Sequence, residues 1–357
     1  MRKEISLIIP TYNRLSVLPF TLASLEAQDL KRSLFEVLVI DDGSTDGTRE
    51  FLRQYARNTS LAFGFCCQYH EGAAAARNQG LLHCSGEWVL FLDADIQLEK
   101  DVVRRHWLHH KSGPQRHHCW MGAIRPSPGL DRWQGYRWDE FALPNGGPGV
   151  RELAWSDYRT PNTSMAVADL KACGWFDSAF PVAEDAELAF RLHQRGLRFW
   201  YDETIRAYHH HPCSLEQHLA KGEEYGRAAV LWSAKHPSDA AGLALRTGVY
   251  SPQLPLRRKA KHLLKVLLVN RWTVPALKSA AVWMHGKKMA WSNKAVTQVY
   301  RYHVRRTFAR HKSRAALCLR RNGFLHVFTQ LPLESVSGMD HYRVGFESAD
   351  RVLVKSS

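Results

Sequence analysis

Within the first hundred residues, short apolar runs alternate with segments whose apolar residues recur every three or four positions. "ISLIIP" (5–10), "FEVLVIDD" (35–42), "LAFGFCCQY" (61–69) and "EWVLFLDAD" (87–95) read as strands, while "LSVLPFTLASLEAQ" (15–28), "TDGTREFLRQYARN" (45–58) and "EGAAAARNQGLLHC" (71–84) read as helices. Strand and helix in strict alternation predict a parallel sheet covered on both faces. The expected fold class is α/β.

In an open parallel sheet, ligands bind beyond the carboxyl ends of the strands. Three of these strands end in polar segments: "PTYNR", "DDGSTDGT" and "DADIQ". Their convergence on one crevice is the first functional expectation. Residues two apart on a strand share a side, so a continuing strand presents Asp93 and Asp95 to a common point. A carboxylate pair of this kind suits Mg2+ or Mn2+ bridging a diphosphate, although capping or turn duty explains such a pair as well. Asp41 and Asp42 can bind nucleotide groups or form an Asx turn into a helix capped near Ser44 or Thr45. Arg77, among small helical residues, can grip phosphate oxygens or lie on the surface. Glu184, Asp185 and Glu187 complement a helix N-terminus, and Glu187 pairs with Arg191 four residues on.

In "YHHHPCS" (208–214), His209 and His211 share one side of a continuing strand and His210 takes the other. A single short His/Cys cluster makes a poor zinc site. "RRHWLHHK" (104–111) and "QRHHC" (115–119) read as exposed polar faces. The seven cysteines show no CxxC pairing, which fits reduced structural thiols. No export signal is legible, so a cytoplasmic location is expected, with attachment to the inner face of a membrane as an extension.

Seven motifs, "SLIIPTYNR", "VLVIDDGSTDGT", "AAAARNQG", "LFLDAD", "TPNTSMAV", "GWFDSAF" and "AEDAELAFRLHQRG", stand in the order and spacing that resembles the family 2 glycosyltransferases, inverting enzymes of the GT-A fold. The resemblance covers roughly residues 4–235. It implies a nucleotide-sugar donor, UDP-linked in the family's commonest case, a divalent metal (Mn2+ or Mg2+) and direct displacement by an acceptor hydroxyl. On the donor side it assigns Asp42 to the nucleobase, Pro10, Thr11, Tyr12 and Asn13 to the same pocket, Arg77 to the donor, and Asp93 with Ala94 to ribose or phosphate. Asp95 and His209, with His211 as the alternative, become metal ligands. Asp185 becomes the general base, and Glu184, Asn162 and Trp175 line the acceptor side, where Trp175 reads equally well as core. The acceptor is expected to be a polysaccharide or lipid-linked oligosaccharide, with a small-molecule aglycone as the alternative.

Charge divides the chain. Residues 240–333 contain no Asp or Glu but 19 of the 49 Lys and Arg, against 30 basic and 34 acidic residues elsewhere. The resulting division is residues 1–100 as the nucleotide-sugar-binding half and 101–238 as the acceptor-binding and catalytic half of one GT-A domain, 239–333 as a basic helical extension, and 334–357 as a tail. Lys265, Arg271 and Lys278 interrupt the most apolar stretch, so no spanning helix is expected. The region 257–321 instead suits an anionic membrane surface, or a contact on another domain or subunit that leaves homo-oligomers open. Without a nucleic-acid-binding motif, nucleic acid is not an expected partner. A catalytically silent sugar-nucleotide binder is the remaining alternative, and the intact set of carboxylates argues against it.

Overall fold

The computed structural model describes residues 3–112, 117–127, 149–210, 215–247, 249, 251–287, 289, 292–322, 346–348 and 351–352. His211, Cys213, Trp291 and residues 128–148 lie outside these. The chain forms two compact units, one of residues 1–131, 137–212 and 341–357, the other of residues 132–136 and 213–340.

In the first unit, β1 (Ile5–Thr11) lies between β2 (Phe35–Asp41) and β4 (Trp88–Phe91), with β3 (Phe63–Cys67) beyond β2, all parallel. Helices α1 (Leu18–Glu26), α2 (Thr48–Asn58) and α3 (Ala73–His83) provide the connections. The continuous apolar character of β1 follows from its position: Ile5, Leu7 and Ile9 enter one core with α1 residues Leu18, Leu22 and Leu25, while Ile8 enters the core on the opposite face with Leu81 of α3. Gly80 lets α3 lie close, since a Cβ there would meet Ile8 Cγ2 at 2.4 Å.

Beyond β4 the sheet becomes mixed. β8 (Thr163–Ala166) joins β4 antiparallel, β6 (His118–Pro126) joins β8 antiparallel, and β9 (Arg198–His209) runs parallel to β6. β5 (Ile96–Leu98) and β7 (Val150–Leu153) both pair antiparallel with β9. The parallel reading therefore holds for the first four strands and not for the whole sheet. The tail also departs from expectation: β10 (Phe346–Ser348) pairs antiparallel with β3, and β11 (Arg351–Val352) with β10. Helices α4 (Val102–Lys111), α5 (Val167–Cys173) and α6 (Glu184–Gln194) complete this unit.

The second unit is helical: α7 (Leu215–Lys235), α8 (Ala240–Thr247), α9 (Leu256–Leu268), α10 (Val274–Gly286) and α11 (Ser292–Asn322). Its core gathers Leu219, Val269, Val274, Ala281, Val296 and Val299. Gly222 and Gly226, one turn apart on α7, admit α11 closely; a Cβ at Gly226 would lie 2.6 Å from Thr307 Cβ. Among the described residues no helix is long and apolar enough to cross a membrane.

Candidate functional site

β4 ends at Phe91, earlier than its apolar run suggests, and Ile96 N–H donates to Asp93 O (3.2 Å) across a turn. Asp93 and Asp95 therefore share a turn, not one side of a strand, and the strand-alternation argument does not apply to them. They are neighbours nonetheless: burial first, and then the Asp95 charge, push the Asp93 carboxyl above its ordinary value, opposed by Arg77. Ala94 is buried and its carbonyl accepts from Thr21 Oγ1 (2.8 Å). The turn is also tied to β9, because His210 N–H donates to Asp95 O (2.9 Å).

That register brings His209 to Asp95, with Nε2 3.5 Å from Asp95 Oδ2. The His210 imidazole points elsewhere, meeting Gln97 Oε1 (2.6 Å) and Ser127 Oγ (3.1 Å). Arg14, which the sequence reading left without a role, brings Nε to 3.9 Å from Asp95 Oδ2. A carboxylate and an imidazole fit Mn2+ or Mg2+: two donors on one octahedral ion stand roughly 3 Å apart, and two protein ligands leave positions for phosphate oxygens and water. No group of three or more His, Cys, Asp or Glu suited to holding a metal occurs among the described residues. Any such ion would draw its remaining ligands from the donor.

Arg77 is buried between two carboxylates. Its terminal nitrogens reach Glu184 Oε1 (2.7 Å) and Asp93 Oδ1 (3.0 Å), and its guanidinium lies 5.5 Å from the centre of the Phe176 ring. It joins the turn after β4 to the start of α6. Burial, relieved by Arg77 and aggravated by Asp185, holds Glu184 above the ordinary carboxylate value. Asp185, the next residue, accepts from Ala186 N–H through Oδ1 (2.7 Å). Ala183, immediately before Glu184, has a left-handed φ of 63°, a conformation that costs about 1 kcal/mol or more in a residue with a Cβ. The helix start is thus held in a strained geometry that aims Glu184 at Arg77. Glu187 and Arg191 form the expected ion pair (2.7 Å), and Arg191 also donates to Trp175 O, so Trp175 sits in a clamped turn, partly buried against the core.

At the carboxyl ends of β1 and β2, Asp42 N–H donates to Thr11 O (2.8 Å), and the Asp42 carboxylate is filled by the loop after β3. Gln68 Nε2 (2.7 Å) and Glu71 N–H (2.9 Å) donate to Oδ1, while Gly72 N–H and His70 Nδ1 reach Oδ2, each at 2.9 Å. Asp41 performs the Asx turn, accepting from Ser44 N–H (3.1 Å). The expected helix cap shifts: α2 begins at Thr48, whose N–H and hydroxyl both donate to Asp46. Asn13, with φ 51°, ties the strand end to this loop by accepting from Thr45 N–H (2.8 Å). Tyr12, 41% exposed, stacks on His70 with ring centres 3.9 Å apart. Thr11 Oγ1 and Gln68 Oε1 are buried without a hydrogen-bond partner among the described residues. Pro10 lies one register step away, opposite Ile40.

Two expectations fail on geometry. Asn162 is fully buried and does not line a cleft; its amide donates to Ala123 O (3.2 Å) and Ile205 O (3.1 Å) and accepts from His106 Nε2 (3.1 Å). "RRHWLHHK" is not simply an exposed face either. Since His106 Nε2 donates to Asn162, Nδ1 must accept from the Ser164 hydroxyl (2.8 Å), and Ser164 accepts in turn from His110 Nε2 (2.8 Å). Burial drives the His106 pKa down to about 4. His109 meets Asp202 Oδ2 (2.8 Å) and stacks on Trp120. The spacing of 106 and 110, one helical turn, was the available signal that these rings share a face. The thiols of Cys66 and Cys67 are free, and burial pushes both pKa values up to about 12, as expected of structural cysteines.

Residues 6–153 match the family model described as glycosyl transferase family 2. Among curated relatives, the chain is 30% identical over 220 residues to validoxylamine A glucosyltransferase of Streptomyces hygroscopicus subsp. jinggangensis, covering 54% of this chain and 52% of that one. It is 26% identical over 258 residues to pre-mycofactocin glycosyltransferase of Mycobacterium tuberculosis, covering 69% and 51%. The chain spans about half the length of these relatives. Among solved structures, a mannosyltransferase from Pyrobaculum calidifontis in complex with GDP-Man and Mn2+ superposes with a TM-score of 0.55 at 21% identity, covering 88% of each chain. The fold is that of the GT-A glycosyltransferases.

Proposed function

We propose that this chain is an inverting glycosyltransferase that moves a sugar from a nucleotide-diphosphate sugar, UDP-linked in the first instance, to an acceptor hydroxyl. The observation that carries the reading is the continuity of Asp185, Glu184, Arg77, Asp93, Asp95 and His209 along the carboxyl edge of the sheet. Donor diphosphate belongs beside Asp95, His209 and Arg14, and the nucleobase beside Tyr12, His70 and the unsatisfied Thr11 and Gln68 oxygens. Because Arg77 is occupied by two carboxylates, its role is to position Asp93 and Glu184, with phosphate left to Arg14. Asp95 and His209 would hold a divalent ion, which when bound offsets charge on the leaving diphosphate.

Asp185 takes the acceptor proton as the acceptor oxygen forms its bond to the anomeric carbon and the carbon–oxygen bond to diphosphate breaks. The electron pair leaves with the nucleotide, and a single displacement inverts the centre. No enzyme-linked sugar is formed. The acceptor is proposed to be a polysaccharide or lipid-linked glycan. A small-molecule aglycone is the second reading, favoured by the likeness to validoxylamine A glucosyltransferase.

Asp185→Asn tests the assignment. The variant should bind UDP as the parent does and lose turnover by about 10²–10⁴-fold, the usual contribution of a general base. Unchanged turnover in the presence of donor and acceptor overturns it.

A further inference from the structure

α9 is turned inside out for a soluble helix. None of its residues is buried, and on one face Leu263 is 61% and Leu267 64% exposed. Trp272, in the turn after α9, is 76% exposed, and Trp283 on α10 is 61% exposed. A globular helix normally directs such a stripe at its own core. Here the side toward α11 carries cations instead. Burial and then the charges of Arg301 and Arg305 push the Lys265 ammonium below the ordinary lysine value, and His262 is lowered by burial and then Arg305. Arg305 reaches Val269 O (3.5 Å) at the end of α9. Residues 240–333 contain no Asp or Glu to offset this charge.

From this pattern we infer that α9 and the start of α10 dock on an anionic bilayer, with Leu263, Leu267, Trp272 and Trp283 entering the interface and Lys265 and Arg301 meeting lipid phosphates. Each half of the pattern needs the same partner. Exposed leucines gain by leaving water, and indoles favour headgroup depth with the ring in apolar surroundings and the N–H in a wet layer. Crowded cations gain from a phosphate-bearing surface, whose field concentrates them within a Debye length. A polynucleotide satisfies the cations but leaves the leucines wet. A second copy of the chain satisfies the leucines but brings its own uncompensated cations. The inference extends to the partner of this region and does not require the proposed transfer activity.

The test is co-sedimentation of the full-length chain with phosphatidylcholine vesicles and with vesicles containing about one third phosphatidylglycerol, in low and high salt. Binding is expected only to the anionic vesicles and is expected to weaken as salt rises. Leu263→Gln/Leu267→Gln should reduce binding at least about tenfold, as should Lys265→Gln/Arg301→Gln, with the melting temperature held because all four side chains face outward or toward like charge. Equal binding to neutral vesicles, or no vesicle binding by a folded parent, overturns the inference. So does a parent dimer in solution that the double-leucine variant converts to monomer, since the face would then belong to a second copy, or polynucleotide binding stronger than vesicle binding. UDP binding in the same preparations reports on the donor site separately.

Discussion

Removing the guanidinium of Arg77 would leave Asp93 and Glu184, already held above their ordinary values, without the charge that permits them to ionise. Arg77→Met is therefore expected to cost about 3 kcal/mol in urea unfolding, the low end for a broken buried pair because Asp93 is one-third open to solvent. Arg77→Lys keeps a charge but cannot place two nitrogens on two carboxylates, so it should recover less than half of that loss. A loss below about 0.5 kcal/mol for Arg77→Met would show the bridge to be dispensable. At this scale the residue types were legible from sequence, and their partners were not. Arg77, Asp93 and Glu184 lie far apart in the chain, and nothing local in "AAAARNQG" distinguishes a guanidinium that grips a ligand from one that fixes two of the protein's own carboxylates. Asn162 illustrates the same limit. A motif placed it beside a cleft, whereas the bulged pairing of β6 with β9 at Gly122 and Ala123 encloses it.

Elements with strong periodicity were readable because their burial is uniform: β2 and β3 and helices α1 to α3 fall inside the segments their patterns marked, and β1 overruns its segment by one residue, Thr11. β4 and α4 were misread because tertiary contacts override pattern there. β4 gives way to a turn closed by Ile96 N–H donating to Asp93 O (3.2 Å), one residue after Leu92 N–H makes the last ladder bond to Ile8 O (3.1 Å), and α4 buries an imidazole that composition alone assigns to solvent. The α4 relay has a pH consequence. His106 titrates near 4 in the fold and near 6.5 in an unfolded chain, so the unfolded state binds the proton first as pH falls. Stability contributed by the neutral ring is complete above about pH 6.5 and is lost progressively by about pH 4, amounting to about 3 kcal/mol from His106 alone. Denaturant titrations from pH 7.5 to pH 4.5 should show this decline, and His106→Gln should flatten it. A parent stability that does not change over that range contradicts the relay.

The molecule joins a sheet-based unit to a helical unit with its own core and its own charge. The stretch without Asp or Glu begins at residue 240, whereas the helical unit begins near residue 213, where α7 packs with α11 through Gly222 and Gly226. Gly226→Val forces a branched side chain onto Thr307 Cβ and Val304 O, so it should destabilise the helical unit by roughly 1–3 kcal/mol. UDP affinity should stay within about twofold of the parent; a large loss would mean that the donor site depends on the α7–α11 contact. If Asp95 and His209 share one cation with a donor diphosphate, UDP and Mn2+ bind cooperatively. Calorimetric titration of UDP with and without Mn2+, in the parent and in Asp95→Asn, tests it most directly. Mn2+ is expected to tighten UDP binding at least about tenfold in the parent and to have little effect in Asp95→Asn; affinity indifferent to Mn2+ in the parent, or equally enhanced in both, would rule out a shared cation.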